Sequence, residues 1–107
     1  MTNFISTGST YWLSDEEIHI LEENATNGDK NSAFKLYQYH MFVSLDQDLE
    51  FKWLEIAAKN GHPIAQSNLA DLFFTQGNKE KAIFWAKKAY RNGAKLPDEL
   101  KILININ

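Results

Sequence analysis

Two sets of residues in this chain are of types that carry chemistry. One is the three histidines, His19, His40 and His62; the other is the acidic run SDEEIHILEEN, which holds Asp15, Glu16, Glu17, Glu22 and Glu23. Paired carboxylates can serve as general acid and base, and imidazoles as proton shuttles or metal ligands. The spacing argues against both uses. No two histidines fall at i, i+4 beside a carboxylate, the arrangement that a helical metal site needs. The acidic residues belong to one exposed helix with no evident cleft, where little would shift their pKa values towards catalytic work. The chain has no cysteine, hence no thiolate nucleophile, disulfide or cysteine zinc site. It also has no phosphate loop, no Gly-x-Gly-x-x-Gly and no Gly-x-Ser-x-Gly elbow. The expectation is a protein with no catalytic residues, no metal ligands and no cofactor, and therefore not an enzyme.

Binding chemistry has stronger candidates. Lys79, Lys81, Lys87, Lys88, Arg91 and Lys95 surround Phe84, Trp85 and Tyr90, and basic residues interleaved with aromatics can hold nucleic acid. Ala82, Trp85 and Ala89, however, share one helical stripe. The aromatics then read as mostly core and the lysines as a solvated outer face, so no nucleic-acid partner is expected. Charge is unevenly spread: residues 1–50 hold nine acids and two lysines, net −7, while residues 51–107 hold five acids and nine bases, net +4. An acidic half would steer a basic partner towards itself; the plainer alternative is two solvated faces that differ. No run approaches the roughly 18 apolar residues of a membrane span, and MTNFISTGSTYWLSDEE lacks a basic segment followed by an apolar one. A cytoplasmic protein without membrane contacts is the default.

The elements that must position any such surface follow from size and periodicity. A chain of 107 residues, 44% apolar and 23% charged, makes one small domain with a modest core. An Asn-Gly corner occurs three times, in ATNG ending at Gly28, AKNG at Gly61 and YRNG at Gly93, at intervals of 33 and 32 positions. Glycine there suits the left-handed conformation that closes a helix. Aligned on these glycines, Trp53 matches Trp85, Ala57 matches Ala89, Leu36 matches Leu69 and His40 matches Phe73. A bulky aromatic followed one turn later by alanine fits a close helix crossing, and His40 reads as a half-core residue. Ser14 and Glu17 form a capping box that opens a first helix. Further helices are expected over about residues 31–43 and 48–60, from Pro63 to near Gln76-Gly77, from the cap Asn78 to Asn92, and from Pro97 through Leu103.

NSAFKLYQYHMF, EFKWLEIAAKNG, HPIAQSNLADLFFTQG and KAIFWAKKAYRNG resemble Sel1-like repeats, relatives of the tetratricopeptide repeats. The resemblance covers about residues 17–103. It is best at Ala65, Leu69 and Phe73 on one helix and at Lys81, Ala82, Trp85, Lys88, Ala89 and Gly93 on the next. Ala70 stands where the family usually has glycine, Glu50 where it has alanine, and the loop at residues 77–79 is short; these departures bear on the pitch of the stack. The implied fold is an all-α, short α-solenoid of antiparallel helix pairs: about six helices, two repeats plus capping helices, as a single domain over residues 14–107 after an N-terminal arm over residues 1–13. That arm, with Phe4, Ile5, Tyr11 and Trp12, is either loose or tucked along the helices. The apolar tail KILININ either packs on the last pair or leaves a sticky end.

The family resemblance implies a protein-binding scaffold whose first helices line a concave surface. Carried over by position, the partner-binding residues are Asn31, Phe34, Gln38 and Met41 of one unit and Ile64, Ser67, Asp71 and Phe74 of the next. A strip of large apolar side chains facing water would mark a partner site; the alternative is that the superhelix closes and buries them. The expected function is a non-catalytic interaction module, an immunity or antitoxin-like protein that neutralises a cognate bacterial toxin or effector, itself a monomer or weak dimer. The alternative is a general adaptor or assembly scaffold for a peptide or protein. A hydrolase reading, drawn from cysteine-rich relatives linked to penicillin binding, lacks the disulfides those relatives use.

Overall fold

The computed structural model describes residues 10–105, and among them every element is helical. Six helices follow one another: α1 (Asp15–Thr26), α2 (Lys30–Phe42), α3 (Gln47–Lys59), α4 (Pro63–Thr75), α5 (Lys79–Arg91) and α6 (Asp98–Leu103). Each packs on its neighbours in the chain, so connections of a few residues fold the chain back and forth into a short helical stack. The described residues extend 50 × 29 × 24 Å. Residues 1–9, with Phe4 and Ile5 of the arm, and residues 106–107 lie outside them.

The helix starts are set by side-chain caps. Ser14 Oγ accepts from the Glu17 N–H at 3.1 Å while the Ser14 N–H donates to Glu17 Oε1 at 3.0 Å, the reciprocal box expected from the sequence. Asp29, Asp46, His62 and Asn78 each accept from the first turn of α2, α3, α4 and α5. The Ser32 hydroxyl hydrogen bond and those of the first-turn N–H groups hold the Asp29 carboxyl below its ordinary pKa, against the opposing effect of burial. Pro63 sits in the first turn of α4, where its missing N–H has no helical partner to lose. Pro97 is the residue before α6 rather than inside it.

The helix ends explain the repeat. Gly61 has φ +96°; its N–H donates to Ala58 O and the next N–H, of His62, to Ala57 O, the paired bonds that close a helix on a left-handed residue. The same closure recurs at Gly28 and Gly93 and also at Gly77, after a glutamine rather than an asparagine. The turn between α2 and α3 differs. Four residues separate these helices against three between α4 and α5, which accounts for the 33- and 32-residue spacings. Its left-handed residue is Leu45, φ 57°, a conformation that glycine adopts freely and leucine does not.

The core runs along the stack. Ala25, Ala33, Leu36, Trp53, Ala57, Ala65, Leu69 and Ala82 belong to one buried cluster, and Ala70, Ala86, Ala89, Leu96 and Leu100 to a second. Alanines at so many buried positions bring helix backbones close, while Leu36, Leu69 and Leu100 are the largest side chains fully removed from water. Trp53 is buried and Trp85 half-buried; Ile20, at the equivalent place in α1, is half exposed, because among the described residues no helix precedes α1 to cover it. In the C-terminal run Leu100 is buried, Leu103 and Ile104 pack on the second cluster, and Ile102 faces outward.

Candidate functional site

A concavity of polar and apolar groups lies where α4 meets the connection from α5 to α6. A groove of about 570 Å³ is lined by His62, Pro63, Ile64, Ser67 and Asn68 on one side and by Gly93, Ala94, Lys95 and Pro97 on the other. Its volume falls in the range of small-ligand and side-chain pockets, roughly 300–1,000 Å³. Ile64 stands at its mouth, 55% exposed. Ser67 is buried and Asn68 half-buried, so hydroxyl and amide lie behind an apolar lip.

The groove is fixed by bonds between repeats. Asn68 Nδ2 donates to Tyr37 Oη at 3.3 Å, joining α4 to α2. Gln66, buried beside it, donates to Ala58 O at 3.0 Å and accepts from Asn92 Nδ2 at 2.9 Å. One glutamine thereby ties the C-terminal ends of α3 and α5 to α4. His62 has two contacts: its Nδ1 accepts from the Ala65 N–H at 3.3 Å, and its ring stacks on Phe34, centroids 4.1 Å apart and planes within 14°. Burial, and to a lesser degree the nearby Lys30 ammonium, lower the His62 pKa below the ordinary histidine value. The neutral ring is therefore favoured, which is the form whose Nδ1 can accept.

The concave strip expected from the sequence is only partly assembled here. Ile64 and Ser67 line the groove, and Phe34 reaches it through the His62 ring. Asn31 and Asp71 are exposed, Gln38 is half-buried, and Met41 and Phe74 are half-buried against the core. Phe34 also packs on that core. Asn68, Lys95 and Pro97 were not among the expected residues; Asn68 is adjacent to Ser67 in α4, and the other two arrive only because the corner at Gly93 folds back onto α4. His62, read from the sequence as part of a structural corner, caps α4 and walls the groove at once.

Other candidates resolve as follows. Among the described residues no cluster of three or more His, Asp or Glu could hold a metal ion. No described helix is long and apolar enough to cross a membrane. His40 is buried as expected; its Nδ1 pairs with Ser44 Oγ at 2.7 Å, but its Nε2 is buried without a partner. Burial lowers its pKa, opposed by Asp46 and Glu22. In the basic cluster Trp85 packs inward, whereas Phe84 and Tyr90 are 52% and 49% exposed; residues 84 and 85 lie about 100° apart on the helix, so both cannot face the core. Lys88 lies over the Phe84 ring, 5.3 Å from its centroid. In the arm, Tyr11 packs on Phe42 with ring centroids 4.4 Å apart.

No family model matches the chain, and no solved structure matches it. The chain is similar to an Escherichia coli (strain K12) protein named Uncharacterized protein YibG, 35% identical over 95 residues, the match covering 82% of this chain and 62% of that one. The chain thus spans less than two thirds of the length of this relative.

Proposed function

We propose that this chain is a short Sel1-like solenoid that works as a non-catalytic protein-binding module, and that it acts as an immunity or antitoxin-like inhibitor by covering a cognate toxin or effector. The observation that carries the binding half of this reading is the groove beside α4: an exposed isoleucine at the lip, Ser67 and Asn68 behind it, and the exposed Lys95 on the facing wall. An apolar anchor position next to hydrogen-bonding groups suits a partner's side chain or loop. The inhibitor half rests on the repeat resemblance in so short a chain, and on the acidic N-terminal half, which would speed encounter with a basic partner.

The test is co-expression of the chain with the products of genes adjacent to its own. A neighbouring product that arrests growth alone, is neutralised by this chain and purifies with it as a stoichiometric complex is the expected outcome. Ile64→Glu should then weaken the complex by at least about tenfold, the cost of putting a charge in an apolar contact, while leaving the free protein's melting temperature within about 2 °C, since Ile64 is exposed. Affinity for several unrelated extended peptides, with no toxic neighbour, would sink the inhibitor reading in favour of an adaptor.

A further inference from the structure

The turn between α2 and α3 exposes apolar surface that the repeat does not require. Leu45 is 72% exposed while held at φ 57°, and Phe42, three residues earlier, is 51% exposed with the Tyr11 ring packed on it. At the equivalent turn between α4 and α5 the left-handed residue is Gly77 and the helix end carries Thr75. A leucine in this conformation is disfavoured and gains almost no burial in exchange within this chain. Beside it stand Asp46 and Asp48, and among the described residues neither forms an ion pair; the two ion pairs present involve Glu55 and Asp98. The face is apolar at its centre and acidic at its rim.

The complement is on the same chain. Along α5, Phe84, Lys87, Lys88 and Arg91 lie at i, i+3, i+4 and i+7, hence on one side of the helix. Phe84 is half exposed at its centre. Lys87 and Arg91 are exposed and have no ion-pair partner among the described residues. This face has Phe84 at its centre with Lys88 lying over the ring, and its rim is basic towards Lys87 and Arg91, with the single acid Glu80 one turn before Phe84.

We infer that these two faces bind each other between copies: the Leu45–Phe42 face of one molecule docks on the Phe84 face of α5 in a second copy. The apolar centres match and the rims are opposite in charge, and the contact is heterologous, so in a pair one molecule keeps its Phe84 face free and the other its Leu45–Phe42 face. This surface is separate from the groove beside α4, and the inference stands or falls independently of the inhibitor reading.

Sedimentation velocity over a concentration series tests it. The full chain should self-associate reversibly, more weakly when salt is raised from about 20 mM to about 300 mM and rim charges are screened. Leu45→Gly and Phe84→Ala should each weaken association about tenfold, the loss of one large anchor. Leu45→Gly should meanwhile melt higher than the parent chain, because glycine suits φ 57°, so its lost association could not be blamed on misfolding. Equimolar mixing of the two variants should restore one intact contact and give discrete 1:1 dimers at the parent affinity. A chain that stays monomeric at low salt, or variants whose mixture associates no better than each alone, would overturn the inference. So would association that appears only after residues 2–9 are removed, which would give the face to this chain's own N-terminal segment.

Discussion

His40 and His62 belong to no metal-holding cluster among the described residues, yet both couple the fold to pH. Each has a pKa lowered by burial, so the unfolded chain binds protons that the folded chain refuses. Their contribution is present above the ordinary histidine value and is lost as pH falls through the lowered folded values. Stability should therefore decline from pH 8 to pH 5, as thermal melts would record. The slope over that window should flatten in His40→Gln and His62→Asn, variants that keep polar acceptors without titrating. An unchanged slope in both would mean the carboxylates dominate. Leu45 is the other informative residue: Leu45→Gly should raise stability by about 1 kcal/mol, relieving the left-handed strain, or roughly 5 °C in melting temperature for a chain of this size.

Among the elements, α4 is the one on which the others depend. It packs on α3 and α5, joins α2 through Asn68 and Tyr37, and carries Gln66, whose amide ties the ends of α3 and α5. Gln66→Ala would leave the Asn92 amide without its acceptor and open a cavity beside Ala58, at a cost of about 1–3 kcal/mol. Asn92→Ala, at an exposed cap, should cost less, about 1 kcal/mol. Double-mutant analysis by chemical denaturation would show the two losses to be non-additive if one bridge carries both. The α2–α3 turn and the α4–α5 turn occupy equivalent places yet differ by one residue. That residue places an exposed leucine at the surface of one unit only, so the two repeats are alike in core and unlike in their exposed edges.

Across the whole molecule, charge and shape point the same way. The stack is about twice as long as it is wide, and the acidic residues concentrate towards α1 to α3 and the basic ones towards α5. On the proposed reading, an elongated molecule with opposite charge on separate helices would meet a basic partner at its acidic end and a second copy of itself along α5. Both contacts should weaken with added salt; the groove beside α4, whose lining is apolar and hydrogen-bonding apart from Lys95, should be less salt-sensitive. That difference separates the two surfaces in any binding measurement.

Caps, corners and the packing stripe are local or periodic signals, which is why Ser14-x-x-Glu17, Gly61, Pro63 and the Trp53–Trp85 register placed the helices and the stack from the residues alone. The spacing of 33 and then 32 was legible too, but not its cause, since nothing short of the backbone path assigns the extra residue to Leu45. Nor did adjacency reveal which aromatics face out: Phe84 and Trp85 differ only in their angle about α5. The groove is the clearest case of a feature that only tertiary structure decides. Lys95 and Pro97 lie some thirty positions from Ile64, and they share a cavity because the corner at Gly93 turns the chain back across α4, with Gln66 and Asn92 fixing the angle. Periodicity determines which side of each helix is buried; the clasp between helix ends determines which exposed residues meet.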